Sequence, residues 1–115
     1  METFSVGNVV FIPFPFSDLS DIKLRPAILL SQTSREDWIL CQVTSQQYHD
    51  ADTIRFDEKD FLYGSLQRES YARVGKLFTA KSTLVKKKVG ALKTVVIDNI
   101  LRKVIDMFER SRKEL

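Results

Sequence analysis

Histidine, cysteine and tryptophan occur once each in this 115-residue chain, as His49, Cys41 and Trp38. One cysteine forms no internal disulfide, and one histidine supports neither a His/Cys metal cluster nor a two-histidine acid–base pair. The 4 glycines make up no phosphate-cradling loop and no nucleophile elbow. No run approaches the roughly 18–20 apolar residues of a membrane-spanning helix. The opening Met1-Glu2-Thr3-Phe4-Ser5 lacks the basic and apolar regions of a secretory signal. These absences predict a cytoplasmic protein that uses no metal, no cofactor and no membrane. The one acidic cluster, Asp50, Asp52, Asp57, Glu58 and Asp60, falls in loop-like sequence and reads as a solvated surface.

What is present suits a globular domain, and residues 1–115 are expected to form a single one. Hydrophobic residues make up 43% and charged residues 29%. The net charge of +3 is unevenly spread: residues 1–60 carry 5 Lys/Arg against 10 Asp/Glu, and residues 61–115 carry 13 against 5. That asymmetry predicts a basic face suited to nucleic acid or an acidic partner, or a lysine-solvated surface.

Hydropathy patterning divides the chain into short strands and one helix. Val9 to Phe14 is apolar at nearly every position, as in a strand covered on both faces. Pro13 and Pro15 remove amide donors from one edge, so the strand must lose its neighbour there. Ser17 to Asp21 supplies turn formers. Strands follow at Pro26–Leu30, Asp37–Val43, Thr53–Phe56 and Ser70–Thr79, with one helical turn and a bend expected across Asp57–Gln67. Cys41 lies in an apolar run and reads as a core residue. Near the C-terminus Ile97, Ile100, Leu101, Val104, Ile105 and Phe108 trace one helical face, with Thr94 as the expected N-cap. Arg110, Arg112 and Lys113 complement the helix dipole. Several strands and one packing helix predict a curved antiparallel sheet or barrel plugged by that helix.

Two polar residues stand at strand ends beside loops, where side chains gain rigid support. Arg25 precedes Pro26, and Thr44 closes an apolar strand next to Ser45. Arg25 is either a surface arginine pairing with Asp18 or Asp21, or a phosphate ligand; Thr44 is either a β-former or a phosphate ligand. Phe16 and Tyr48 adjoin these positions and offer stacking surfaces for bases, or pack under the loops. Arg73 suits substrate contact or an internal ion pair. His49 reads as a loop histidine, with assistance to proton transfer as the alternative.

The chain resembles the PemK/MazF-like toxin endoribonucleases over nearly its whole length. The blocks that carry the resemblance are Gly7-Asn8-Val9-Val10, Pro13 to Leu19, Arg25-Pro26-Ala27, Val43-Thr44-Ser45, Phe61 with Gly64-Ser65-Leu66, Ser70 to Arg73, and Val89-Gly90-Ala91-Leu92. Asn8 replaces a more usual Asp. The resemblance implies a mainly β, SH3-like plug barrel of the CcdB/Kid type with a C-terminal helix. It implies a homodimeric toxin of a type II toxin–antitoxin pair that cuts single-stranded RNA without a metal, through a 2′,3′-cyclic phosphate. Its inhibitor would be an acidic antitoxin protein. Catalysis falls to Arg25 and Thr44. RNA contacts are expected from Phe16, Ser17, Asp18, Ser20 and Lys23 of the first loop, from Ser45, Gln46, Tyr48 and His49 of the second, and from Arg73. The alternatives are a cleavage-deficient homologue that binds RNA or antitoxin, and a binding toxin aimed at a protein such as DNA gyrase. The gyrase reading requires an apolar, tryptophan-containing C-terminal end. Here that end is Arg110-Ser111-Arg112-Lys113-Glu114-Leu115, and Trp38 lies in an expected core strand.

Overall fold

The computed structural model describes residues 3–15, 22–47 and 52–115. Among the described residues seven strands, β1 (Asn8–Pro15), β2 (Ile22–Gln32), β3 (Asp37–Thr44), β4 (Thr53–Phe56), β5 (Phe61–Gly64), β6 (Ser70–Lys81) and β7 (Lys87–Leu92), precede one α-helix, α1 (Thr94–Lys113). The strands form one antiparallel sheet in the order β4-β6-β3-β2-β1-β7-β5, a half-barrel.

The prolines of β1 act as their spacing predicts. β1 pairs with β2 as far as Pro15↔Ile22, but with β7 only from Asn8 to Phe11. The Phe11 carbonyl accepts a bond from Lys86 N–H at 2.9 Å, so Phe11 faces the β7 edge. Pro13 and Pro15 face the same edge by alternation and offer it no donor. β7 therefore departs after Phe11.

Side-chain alternation sorts the sheet into two apolar layers. Val9, Ile28, Cys41, Val43, Phe56, Ala72 and Val74 pack under Val96, Ile97 and Ile100 of α1. Val10, Ile12, Ala27, Leu29, Trp38 and Leu40 fill the opposite face. There Phe14 meets Phe78 edge-on, with ring centroids 4.7 Å apart. Burying Ile100 completely contributes about 1.5–3 kcal/mol.

Three local expectations need correction. β2 begins at Ile22, so Arg25 lies within the strand, opposite Ile12, because the β1 edge facing β2 keeps its donors. The 57–67 segment holds a 3₁₀ turn, Glu58–Asp60, capped reciprocally by Asp57 and Asp60, and then an unexpected strand, β5, paired with β7. The N-cap of α1 is Lys93, with no side-chain cap, and Thr94 is the first helical residue.

No helix among the described residues is long and apolar enough to cross a membrane. The acidic cluster is largely taken up structurally. Asp57 and Asp60 cap the 3₁₀ turn, Glu58 accepts from Ser65 Oγ, and Asp52 pairs with Arg110.

Candidate functional site

The site arises where two strands part. β2 and β3 are registered from Gln32↔Trp38 to Ala27↔Gln42, and there their pairing stops. β2 runs on beside β1 to Ile22, and β3 runs on beside β6 to Thr44↔Tyr71. Phe11 and Pro26 are register partners, and the Phe11 backbone groups point toward β7. Pro26 therefore directs its own backbone groups at β3, where the next ladder bond needs an N–H that proline lacks.

The opening is a cleft of about 440 Å³. Lys23, Leu24, Arg25 and Pro26 of β2 line one wall, and Val43, Thr44 and Ser45 line the other. Leu66, Arg68 and Ser70, from the β5–β6 loop and the first residue of β6, complete it, with Phe11 of β1. Three of these side chains are cationic, and none of the described lining residues is acidic. Such a cleft favours an anion.

The Thr44 hydroxyl is oriented by its own turn. Its Oγ1 accepts the Gln46 N–H at 3.2 Å, which leaves the O–H proton available to an outside acceptor. Thr44 and Arg25 are both half-buried, the one at the end of β3 and the other inside β2. Each is thus held by a strand, and the two converge on one space.

Of the other predicted site residues, Lys23 and Ser45 are exposed and line the cleft. Gln46 contributes its backbone to the Thr44 turn. Arg73 is half-buried, opposite Gln42 and Thr53 in register, and does not line the cleft. Phe16, Ser17, Asp18, Ser20, Tyr48 and His49 lie outside the described residues. Arg68 carried no sequence signal, because the strand that launches its loop was itself not expected. Trp38 is 4% exposed within the core, away from any terminal surface.

The profile of a family described as "PemK-like, MazF-like toxin of type II toxin-antitoxin system" matches residues 5–108. Among solved structures, the fold is similar to the Mycobacterium tuberculosis toxin MazF-mt6, with TM-score 0.67 and 13% identity over 89% of this chain and 96% of that one. It is also similar to a mycobacterial endoribonuclease in complex with its cognate antitoxin, with TM-score 0.72 and 12% identity over 93% and 96% of the two chains. A further mycobacterial endoribonuclease gives TM-score 0.69 at 14% identity, covering 95% and 94%. At these identities the likeness concerns the fold. No curated protein sequence matches significantly. With nearly the whole chain matched by the profile, and with the barrel, plug helix and strand order in place, this protein belongs to the PemK-like, MazF-like toxin family of type II toxin–antitoxin systems.

Proposed function

We propose that this toxin is an endoribonuclease that cleaves single-stranded RNA in the cleft between β2 and β3, independently of metal. The observation that supports this most is the convergence of Arg25 and Thr44 on one cation-lined cleft. RNA carries its own nucleophile. The ribose 2′-hydroxyl attacks the adjacent phosphorus, the bond from phosphorus to the 5′-oxygen breaks, and the proton lost from the 2′-oxygen is balanced by one gained at the 5′-oxygen. The products are a 2′,3′-cyclic phosphate and a 5′-hydroxyl.

The protein has then to align the strand and stabilise the charge that grows on the phosphorane oxygens. Arg25 supplies two parallel donors to that phosphate. A guanidinium stays protonated at any ordinary pH, so its first task is electrostatic rather than acid catalysis. Thr44, with its acceptor side engaged by Gln46, donates its hydroxyl proton to the same phosphate. Lys23 and Ser45 hold the flanking strand. The loop residues Phe16, Ser17, Asp18, Ser20, Tyr48 and His49 are proposed RNA contacts, and Arg73 supports the β3 wall. The natural inhibitor is an acidic antitoxin, the active toxin a homodimer, and the place of action the cytoplasm.

The test is cleavage of single-stranded RNA in the presence of EDTA. The purified toxin is expected to leave cyclic-phosphate and 5′-hydroxyl ends. Removing one charge-stabilising donor typically costs about 10²–10³ in rate, so Arg25→Ala and Thr44→Ala should lose activity on that scale with unchanged unfolding midpoints. Full activity in Arg25→Ala would remove the cleft from the mechanism.

A further inference from the structure

The β5–β6 loop holds an arginine against the cleft. Arg68 is exposed and lines the cleft that also contains Arg25 and Thr44. Among the described residues no carboxylate pairs with it, although acidic side chains stand nearby. Glu69 is engaged by Arg55 Nε at 2.6 Å and by the Tyr71 hydroxyl at 2.6 Å, and Glu58 accepts from Ser65 Oγ at 3.2 Å. Arg55, Arg102 and Arg110, by contrast, are held in ion pairs.

The backbone that presents Arg68 is fixed at several points. Ser65 N–H bonds to the Val89 carbonyl at 3.3 Å, tying the loop to β7. Ser65 Oγ accepts the Gln67 N–H at 2.7 Å, and Gln67 adopts a left-handed φ of 59°. Such a conformation is costly for a non-glycine residue unless its surroundings enforce it. The Arg68 carbonyl then accepts the hydroxyl of Ser70, a residue 1% exposed. A long cationic side chain on a pinned loop loses less freedom on binding than one on a loose loop.

We infer that Arg68 forms a second phosphate subsite, one that grips the backbone phosphate next to the one held by Arg25 and Thr44. The subsite rests on the ribonuclease reading for the identity of the strand, single-stranded RNA, and extends it to a residue outside the reacting atoms. Leu24 and Leu66 also line the cleft and give the intervening nucleoside apolar surface. A strand crossing from Arg25 to Arg68 would place one nucleoside between two clamped phosphates. Arg68 acts on binding rather than on the reacting atoms: it holds the flanking phosphate equally in the bound substrate and in the transition state.

The test separates binding from cleavage by using an RNA oligonucleotide with 2′-O-methyl groups throughout, which lacks the nucleophile. Its affinity is measured by fluorescence anisotropy across a salt series for wild type, Arg68→Ala, Arg68→Lys and, as a distant charge control, Arg35→Ala. Arg68→Ala is expected to weaken binding about tenfold and to reduce the salt slope by about 0.7, the value of one lost phosphate contact on a single strand. Arg68→Lys should restore the slope and part of the affinity, and Arg35→Ala should match wild type. With cleavable RNA, Arg68→Ala should raise KM with little change in kcat. Equal affinity and equal slope in wild type and Arg68→Ala would overturn the subsite, as would an equal loss in Arg35→Ala or an absence of RNA binding by wild type. Should wild type bind RNA in this Arg68-dependent way and yet cleave none, the ribonuclease reading fails and the subsite stands.

Discussion

Arg25 and Thr44 face one cleft from two strands that have already stopped pairing, β2 with β3, at Ala27↔Gln42. Pro26 is the physical cause, since it presents no donor to β3 at the next rung. Replacing it with alanine should let the ladder extend toward the Arg25 rung and narrow the space between the walls. The stability terms nearly offset. A new backbone hydrogen bond contributes about 1 kcal/mol, and losing proline's restriction of the unfolded chain costs about 0.4–1 kcal/mol. Pro26→Ala should therefore unfold within a few degrees of wild type while RNA cleavage falls about 10- to 100-fold, in keeping with the sensitivity of such reactions to misplacement. Wild-type turnover in this variant would show that the proline does not hold the cleft open.

Gly64 and Gly75 make a paired test of what anchors the β5–β6 loop. Gly64 has φ +77°, and a Cβ there would sit 2.0 Å from the Val89 carbonyl oxygen, a backbone atom that cannot swing aside. Gly75 has open space around the same position. Gly64→Ala should cost at least about 2 kcal/mol through backbone strain and loss of the β5–β7 contact. Gly75→Ala should stay within about 1 kcal/mol of wild type. Urea denaturation of the two variants decides it, and equal midpoints would contradict the close packing of Gly64 against β7.

Much of the fold can be read from local pattern, and the failures have a common origin. The helical face through Ile97, Ile100 and Leu101 depends only on spacing, and it packs as that spacing requires. The donor loss at Pro13 and Pro15 is likewise local, and the lost neighbour it predicts is β7, whose pairing with β1 ends at Phe11. The edge strand Thr53–Phe56 also matches, because turn-forming and strand-forming residues change sharply at both ends. β5 was hidden because Phe61-Leu62-Tyr63-Gly64 is too short to show a period and becomes a strand only by pairing with β7. The Thr94 cap failed for a related reason: Lys93 N–H bonds to the Asp60 carbonyl, a tertiary contact that sets where the helix begins. At the candidate site, Arg25 and Thr44 stand out as polar groups near strand ends. The splitting of β2 from β3 depends on which way Pro26 faces, and that is set by its register with Phe11.

Cys41 should be inert to thiol reagents until the protein opens. It is completely buried, and burial pushes its thiol pKa up to about 12 by denying solvation to the thiolate. At pH 8 the thiol therefore stays protonated, and its complete burial denies the reagent a path to the sulfur. An aromatic disulfide reagent at pH 8 should label no thiol in native protein and one per chain in denaturant. Raising urea below the unfolding midpoint should increase the labelling rate in step with the open population. Rapid native labelling would show that the β3 core opens locally.

Asp52 and Arg110 tie the residue before β4 to the last turns of α1, through contacts of 3.1 and 3.3 Å across 58 residues of sequence. The hydrogen bond and charge of Arg110, with a smaller contribution from Lys103, hold the Asp52 carboxyl below its ordinary range. A depressed carboxylate pKa in the folded state gives stability above the unfolded value, about 3.9, and loses it as pH falls through the folded value. Asp52→Asn should therefore unfold earlier than wild type at pH 6, and the gap should shrink as pH falls below the unfolded value toward the lower folded one. Added salt at pH 6 should narrow the gap as well, because the Arg110 guanidinium is largely exposed. A gap that persists unchanged from pH 6 down to the most acid pH at which wild type still folds would mean that the asparagine disturbs packing near Val74, whose N–H bonds to the Asp52 carbonyl at 2.9 Å, rather than the ion pair.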